Sequence, residues 1–319
     1  MRIGYFLSCE DYTPAQLVEQ AQAAEKAGFE ALWISDHFHP WNDEQGQSPF
    51  VWSVIGALAQ ACDLPVTTAV ICPIIRIHPA IIAQAAATAA VMLNGKFILG
   101  VGTGEALNEH VLGDRWPGYD VRMEMLEESV ALIRRLWEGD VVTSRGRHYE
   151  VENARIYTRP DTPPPVYASA FGPKATEAIA GFADGFMSTS PDAELVSDFK
   201  QATGGKPAQA GCKVAWADTR EEGVDLAYRL WPNSGLPGEL AQVLPTVRHF
   251  EQATSLVTRE STDESAVAGP DIDDHLEQLR SYADAGFDEA YVGNMGPHYL
   301  KMIEAYGRDV LPAWRSQDS

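Results

Sequence analysis

The sequence predicts an α/β fold, a single (β/α)8 barrel of the TIM type with insertions, and three observations lead there. Short runs rich in β-branched and aromatic residues alternate with helical patterns from end to end, the rhythm of parallel strands joined by crossover helices. Eight such runs can be counted, the number that closes a parallel barrel. No second block of composition divides the 319 residues, and such barrels run to ~250 residues or more as one domain. Residues 1–319 are therefore expected to form one domain, with insertions near 141–158 and 233–264 where the alternation fails.

The first strand is expected over residues 2–8. Thr13-Pro14 then caps a helix that runs to Gly28, with Leu17, Ala21, Ala24 and Ala27 on one face. Ala31-Leu-Trp-Ile-Ser35 is too short for a helix and reads as a buried strand. A mostly apolar helix over 50–62 leads to a β-branched strand over 65–71, and His78-Pro79 opens an alanine-rich helix to Leu93. Residues 97–104 are a fourth strand, followed by a long amphipathic helix around 122–138. Val142, Tyr149 and Val151, with Arg145-Gly146 between them, read as an antiparallel hairpin laid outside the repeat. The rhythm returns with strands at 165–170, 185–190 and near 213–217, each followed by a helix. The polar, proline-containing stretch 233–264 is expected to be partly helical, before a helix at 272–286, a strand at 289–293 and a closing helix over 297–314.

Lys plus Arg number 24 against 45 Asp plus Glu, a net charge of −21. That balance argues against nucleic acid or an anionic membrane as partner and leaves a small molecule. Cys9, Cys62, Cys72 and Cys212 form no C-x-x-C pair, so a reduced, cytoplasmic protein without a metal site is expected. No long uncharged apolar run is present, and Met1-Arg-Ile-Gly-Tyr-Phe6 enters a strand at once, so neither a membrane span nor a signal peptide is expected.

The chemistry should sit where parallel strands end, because those ends open onto one mouth. Strand one ends at Glu10, strand two at Asp36, His37 and Trp41, and strand four at Glu105 and Asn108. A base and several carboxylates at one mouth can move protons on both sides of a reaction. Plainer roles stand beside these. Glu10 could be a solvated acid, and Glu105 and Asn108 could cap a helix. Cys72 reads as a small buried hydrophobe, and His39 and His78 as structural or solvated side chains. The run Gly100-Val-Gly-Thr-Gly-Glu105 invites a nucleotide reading but lacks the G-x-G-x-x-G spacing. Ser169-Ala-Phe-Gly-Pro-Lys174 is the better phosphate candidate, since it joins a late strand to a helix N-terminus.

Ser35-Asp-His-Phe-His-Pro-Trp41, the stretch from Cys72-Pro-Ile-Ile-Arg-Ile-His-Pro79 to Gln84, and Gly100-Val-Gly-Thr-Gly-Glu-Ala-Leu-Asn-Glu109 together resemble the bacterial-luciferase-like superfamily. Within it they are similar to the dehydrogenases that use the deazaflavin coenzyme F420, both glucose-6-phosphate and secondary-alcohol enzymes. The likeness runs through Gly172-Pro173, Asp184-Gly-Phe186 and Ala285-Gly-Phe-Asp-Glu289, and is weakest at 233–264. It implies His37 as the base that takes the substrate hydroxyl proton, with Trp41 and Glu10 beside it. Asp36 would lie against the deazaflavin, Glu105 would protonate the reduced ring, and Asn108 would sit next to Glu105. A non-proline cis peptide is implied at Ala69–Val70, against the ring, with Cys72 just beyond. Thr103, Ser169, Ala170, Phe171, Gly172 and Thr189 would hold the coenzyme and its phosphate. A homodimer is implied as well.

The implied reaction is F420-dependent hydride transfer between the deazaflavin and an alcohol or sugar hydroxyl carbon. A neutral substrate is favoured. Ser190-Pro-Asp-Ala-Glu-Leu195 and Ser261-Thr-Asp-Glu-Ser265 offer acids where a sugar phosphate would need fixed cations. Arg248 and Arg259 are the possible substitutes, which keeps a glucose-6-phosphate dehydrogenase open as the alternative. An FMN-dependent monooxygenase of the same barrel, or a flavin-binding protein without turnover, are the other rivals.

Overall fold

The computed structural model describes residues 1–317. Its strands are β1 (Arg2–Leu7), β2 (Leu32–Ile34), β3 (Val66–Thr68), β4 (Phe97–Val101), β5 (Val142–Arg145), β6 (Glu150–Ala154), β7 (Val166–Ser169), β8 (Gly185–Ser188), β9 (Ala208–Val214) and β10 (Glu289–Asn294). Eight of them close a barrel in the order β1-β10-β9-β8-β7-β4-β3-β2, and β5-β6 form a separate pair. All barrel pairings are parallel, so every strand C-terminus faces the same mouth. The hairpin is tied down by Glu128, which accepts from the backbone N–H of His148 and Tyr149.

Local chemistry explains the helix starts. Thr13 and Gln16 form a capping box ahead of the helix Pro14–Ala27. His78 accepts from the Ala80 N–H at the head of Pro79–Met92 while its side chain stays exposed, so it is both structural and solvated.

Below the mouth the barrel is filled by Phe6, Trp33, Tyr167, Met187 and Tyr291. Trp33 stacks on Tyr291 with ring centroids 4.8 Å apart. Those rings leave no room opposite them. A Cβ at Gly4 would lie 2.3 Å from the Tyr291 ring, and one at Gly211 would lie 2.4 Å from Trp33. This accounts for one correction. The strand expected near 213–217 runs over Ala208–Val214, and Ala215 makes only an isolated bridge to Ala268. Ala208-Gln-Ala-Gly-Cys212 lacks the bulk that marks a strand in sequence, because the neighbouring strands supply the bulk. The closing helix also differs: a π turn at Tyr306–Val310 separates Tyr299–Ala305 from Leu311–Gln317, where Tyr306 is held against Phe29 and hydrogen-bonded to His275.

The 233–264 insertion is partly helical, as its composition implied. Leu240–Val243, Val247–Thr254 and Arg259–Ser265 follow a 3-10 turn at Pro232–Gly235. Phe250 packs edge-on against Trp41 at 5.0 Å, and Trp41, Leu107, Trp231, Phe250 and Met295 share a second buried cluster. The insertion therefore roofs one side of the mouth. Among the described residues, no helix is long and apolar enough to cross a membrane.

Candidate active site

The ends of β1 and β2 bring an acid and a base into contact. Glu10 is buried at 2% exposure, and its Oε1 lies 3.2 Å from His37 Nε2. Ser35 Oγ donates to Glu10 Oε2 at 2.6 Å and accepts from the Cys9 N–H at 2.9 Å. Burial by itself would raise the Glu10 carboxyl. His37, Lys213 and the Ser35 hydroxyl outweigh burial and hold it below the ordinary carboxylate range. Glu10 is thus a fixed anion and not a solvated acid.

The other ring nitrogen of His37 has two neighbours. Asn108 Nδ2 stands 3.0 Å from Nδ1, and the His39 carbonyl 3.2 Å. The amide of Asn108 is oriented by its Oδ1, which accepts from the Phe38 and His39 N–H groups. A neutral ring can donate from Nε2 to Glu10 and accept at Nδ1 from Asn108. A protonated ring can donate to Glu10 and to the His39 carbonyl. His37 therefore has a partner for each charge state. Asn108 Nδ2 also donates to Glu105 Oε2 at 3.0 Å, so Glu10, His37, Asn108 and Glu105 form one hydrogen-bonded chain. Glu105 occupies the N-cap position of the short helix Ala106–Glu109, but its side chain does not cap it. The Trp41 ring lies 4.9 Å from the imidazole, nearly edge-on.

Asp36 points into a second buried network. Its Oδ2 pairs with Arg76 Nη2, and Arg76 Nε lies 3.3 Å from Glu109 Oε1. Burial outweighs the guanidinium and raises both acids, Glu109 to about 7. Asp36 Oδ1 is buried with no hydrogen-bond partner.

The glycine run past β4 has a packing explanation in place of a nucleotide one. The Ala69–Val70 peptide is cis, and the backbone that carries it presses against β4. A Cβ at Gly100 would meet the Thr68 carbonyl at 1.9 Å, and one at Gly102 would meet Val70 Cγ2 and Ser169 Oγ at 2.7 Å. Gly104 takes a φ of +71°, directly above Cys72 Sγ. Thr103 sits in this same turn. Cys72 is buried, which pushes its thiol well above the ordinary range and keeps it neutral.

On the opposite wall, Ser169 ends β7 beside Gly102. Ala170 spends its N–H on the Met187 carbonyl, so that donor is not open to a ligand. Phe171 is exposed, and Gly172 heads the helix Pro173–Ala180 with open space where a side chain would be. Thr189 is exposed, and its carbonyl accepts from Tyr282.

A profile described as luciferase-like monooxygenase matches residues 1–289. The chain belongs to this family. Its relatives include the F420-dependent glucose-6-phosphate dehydrogenase of Amycolatopsis mediterranei (strain U-32), 34% identical over 99% of each chain. The enzyme of the same name from Nakamurella multipartita is 35% identical, over 99% of this chain and 97% of its own. A solved F420-dependent secondary alcohol dehydrogenase, in complex with an F420-acetone adduct, superposes with a TM-score of 0.90 at 30% identity over 98% of each chain.

In this luciferase-like chain, three residues that strand-end reasoning passed over complete the site. Arg76 clamps Asp36 and Glu109, Ser35 holds Glu10, and Lys213 donates to Ser8 Oγ at 2.5 Å. A lone arginine inside Pro73-Ile-Ile-Arg-Ile77 and a lone lysine inside Gly211-Cys-Lys-Val214 were the available signals. Beside the mouth, a cleft of about 320 Å³ is lined by His39, Asp43, His110, Thr246, Arg248 and Glu251. Arg259 is elsewhere, paired with Asp225 at 2.5 Å.

Proposed function

We propose that the protein is an F420-dependent oxidoreductase that moves a hydride between the hydroxyl-bearing carbon of an alcohol or sugar and a deazaflavin ring. The carrying observation is the chain Glu10, His37, Asn108, Glu105 at one barrel mouth, in a protein similar to F420-dependent dehydrogenases. The residues fit such a coenzyme. Asp36 Oδ1 is a buried acceptor in want of a donor, and the glycine run leaves a wall without side chains. Ser169 and the helix start at Gly172 suit a phosphate. Asp36, Ala69, Val70, Cys72, Thr103 and Asn108 would line the ring; Ser169, Ala170, Phe171, Gly172 and Thr189 would hold the tail. Once bound, the deazaflavin supplies the hydride chemistry.

The chain's own residues handle protons. His37 accepts the proton released by the substrate hydroxyl at the ring nitrogen that carries no hydrogen: with Nε2–H donated to Glu10 this is Nδ1, where the Asn108 amide gives way and the His39 carbonyl takes over. The imidazolium so formed is stabilised by the Glu10 carboxylate at Nε2 and the His39 carbonyl at Nδ1. Trp41 and the insertion behind it shield that proton from bulk water. Glu105, whose Oε2 accepts from the Asn108 amide, would serve the second proton transfer, on the far side of Asn108.

A neutral substrate is favoured. Asp192 caps the helix Ala193–Thr203, Asp263 is paired with Arg220, and Arg259 is committed to Asp225. A sugar phosphate is the second reading, supported by Arg248 in the cleft beside His39 and His110. The four free cysteines fit a reducing, cytoplasmic setting, and family likeness supports a homodimer and a single domain. The deciding experiment mixes purified protein and oxidised F420 with isopropanol, glucose and glucose-6-phosphate and follows loss of deazaflavin absorbance. Turnover of a neutral alcohol or sugar is expected. A kcat/KM for glucose-6-phosphate well above both would select the phosphate reading. Binding of FMN with no response to F420 would favour the monooxygenase rival.

A further inference from the structure

Lys213 stands at the mouth but takes no part in the proton handling above. It lies in β9, in a stretch whose other residues are buried. Its Nζ sits 3.5 Å from the Trp231 ring centroid and 4.4 Å from that of Phe6, and it donates to Ser8 Oγ. Trp231 is itself fixed, donating from Nε1 to Asp11 Oδ2 at 2.8 Å. The ammonium is thus anchored between two aromatic faces and a hydroxyl; burial lowers its pKa from the ordinary lysine range, and Glu10 and Asp11 work against that lowering. The acids around it are Glu10 and Asp11. Burial raises Asp11 to about 7 despite Lys213 and the Trp231 hydrogen bond, so near neutrality Asp11 cancels the lysine charge only in part. What remains falls on Glu10.

We infer that Lys213 is a positioning residue for the acid–base pair, its anchored charge keeping Glu10 ionised and restraining how readily His37 takes a proton. This rests on the reading of His37 as the base only where turnover is concerned. The groups that face the pair are Cys9 and Asp11 after β1 and Asp36 after β2. Glu105 reaches it from past β4 through Asn108, and Lys213 faces it from β9. Arg76 is committed to Asp36 and Glu109.

Removing that charge should let the pair bind its proton at higher pH. The test is a ¹⁵N-histidine NMR titration of the full-length, ligand-free protein as wild type, Lys213→Met and Lys213→Arg. The His37 midpoint should rise by about one pH unit in Lys213→Met and stay near wild type in Lys213→Arg. The acid limb of kcat/KM should move in the same direction. A His37 midpoint unmoved in a folded Lys213→Met protein would overturn the proposal, as would equal movement in the Arg variant. Lys213→Gln replaces Met should the latter not fold. If neither neutral variant folds while Arg does, the lysine is structural and the proposal fails. The titration needs no coenzyme, so absence of F420 turnover in the wild type would count against the oxidoreductase reading alone.

Discussion

The two walls of the mouth are built differently. The wall formed past β1 to β4 is a dense polar network in which Glu10, Ser35, Asp36, His37, Arg76, Asn108 and Glu109 each hold at least one neighbour. The wall past β7 and β8 is mostly backbone and open space, with Phe171 and Thr189 exposed and nothing near Gly172. Proton transfer needs groups fixed within hydrogen-bond reach, and the first wall supplies them ready-made. The anionic tail proposed for the second wall would need only free N–H groups at a helix start, which a sparse wall can provide. Substitutions should therefore hurt far more on the first wall than on the second.

The largest effect should come from His37→Ala. A well-placed base contributes ~10²–10⁴ in rate, so kcat should fall by that range while F420 affinity changes little. Fluorescence titration with F420 alongside stopped-flow reduction would check both. Turnover close to wild type would remove His37 from its role and blur the contrast between the walls.

Arg76→Ala should be the most destabilising change at the site. It strands Asp36 and Glu109 without their shared cation, and breaking a buried pair from one side costs ~3–5 kcal/mol. Urea unfolding would measure it. A loss under about 1 kcal/mol would show that water replaces the arginine.

A matched pair of glycine changes sharpens the comparison. Gly102→Ala drives a Cβ to 2.7 Å from Val70 and Ser169, and overpacking of that kind costs ~1–3 kcal/mol. Gly172→Ala meets nothing within 4 Å and should stay within about 0.5 kcal/mol. Equal losses by thermal unfolding would erase the distinction.

A pH dependence is expected on the first wall as well. Burial lifts Glu109 from its ordinary 4.5 to about 7, so the folded chain holds that proton more tightly than the unfolded one. The stability its acid form contributes is complete below about 4.5 and is lost as pH climbs through about 7. Glu109→Gln lacks this loss. Its urea midpoint should gain on wild type between about pH 5 and about pH 8, and a constant gap would contradict the raised carboxyl.

Much of this was readable in advance, and what was not has a common cause. The strand-end residues Glu10, Asp36, His37, Trp41, Glu105 and Asn108 do meet at one mouth, because a parallel barrel puts every strand end there. Sequence order could not say which of them touch. The Ser169 to Gly172 segment is the strand-to-helix junction its pattern predicts, yet the Ala170 N–H is engaged in the sheet. Sequence pattern located β9 five residues late, since its small residues signal nothing until the Trp33 ring opposite them is known.

By itself the sequence determined what depends on local periodicity: the count of strands, the helix caps at Thr13 and His78, the outlying hairpin, and the side of the barrel that carries titratable groups. Only the tertiary structure decided the pairings, because they join residues far apart in the chain. Glu10 with His37, Asp36 with Arg76, Lys213 between Phe6 and Trp231, and Gly102 beneath Val70 are set by barrel closure. The charge state of Glu10 and Glu109 follows from burial and those neighbours, which no local pattern encodes.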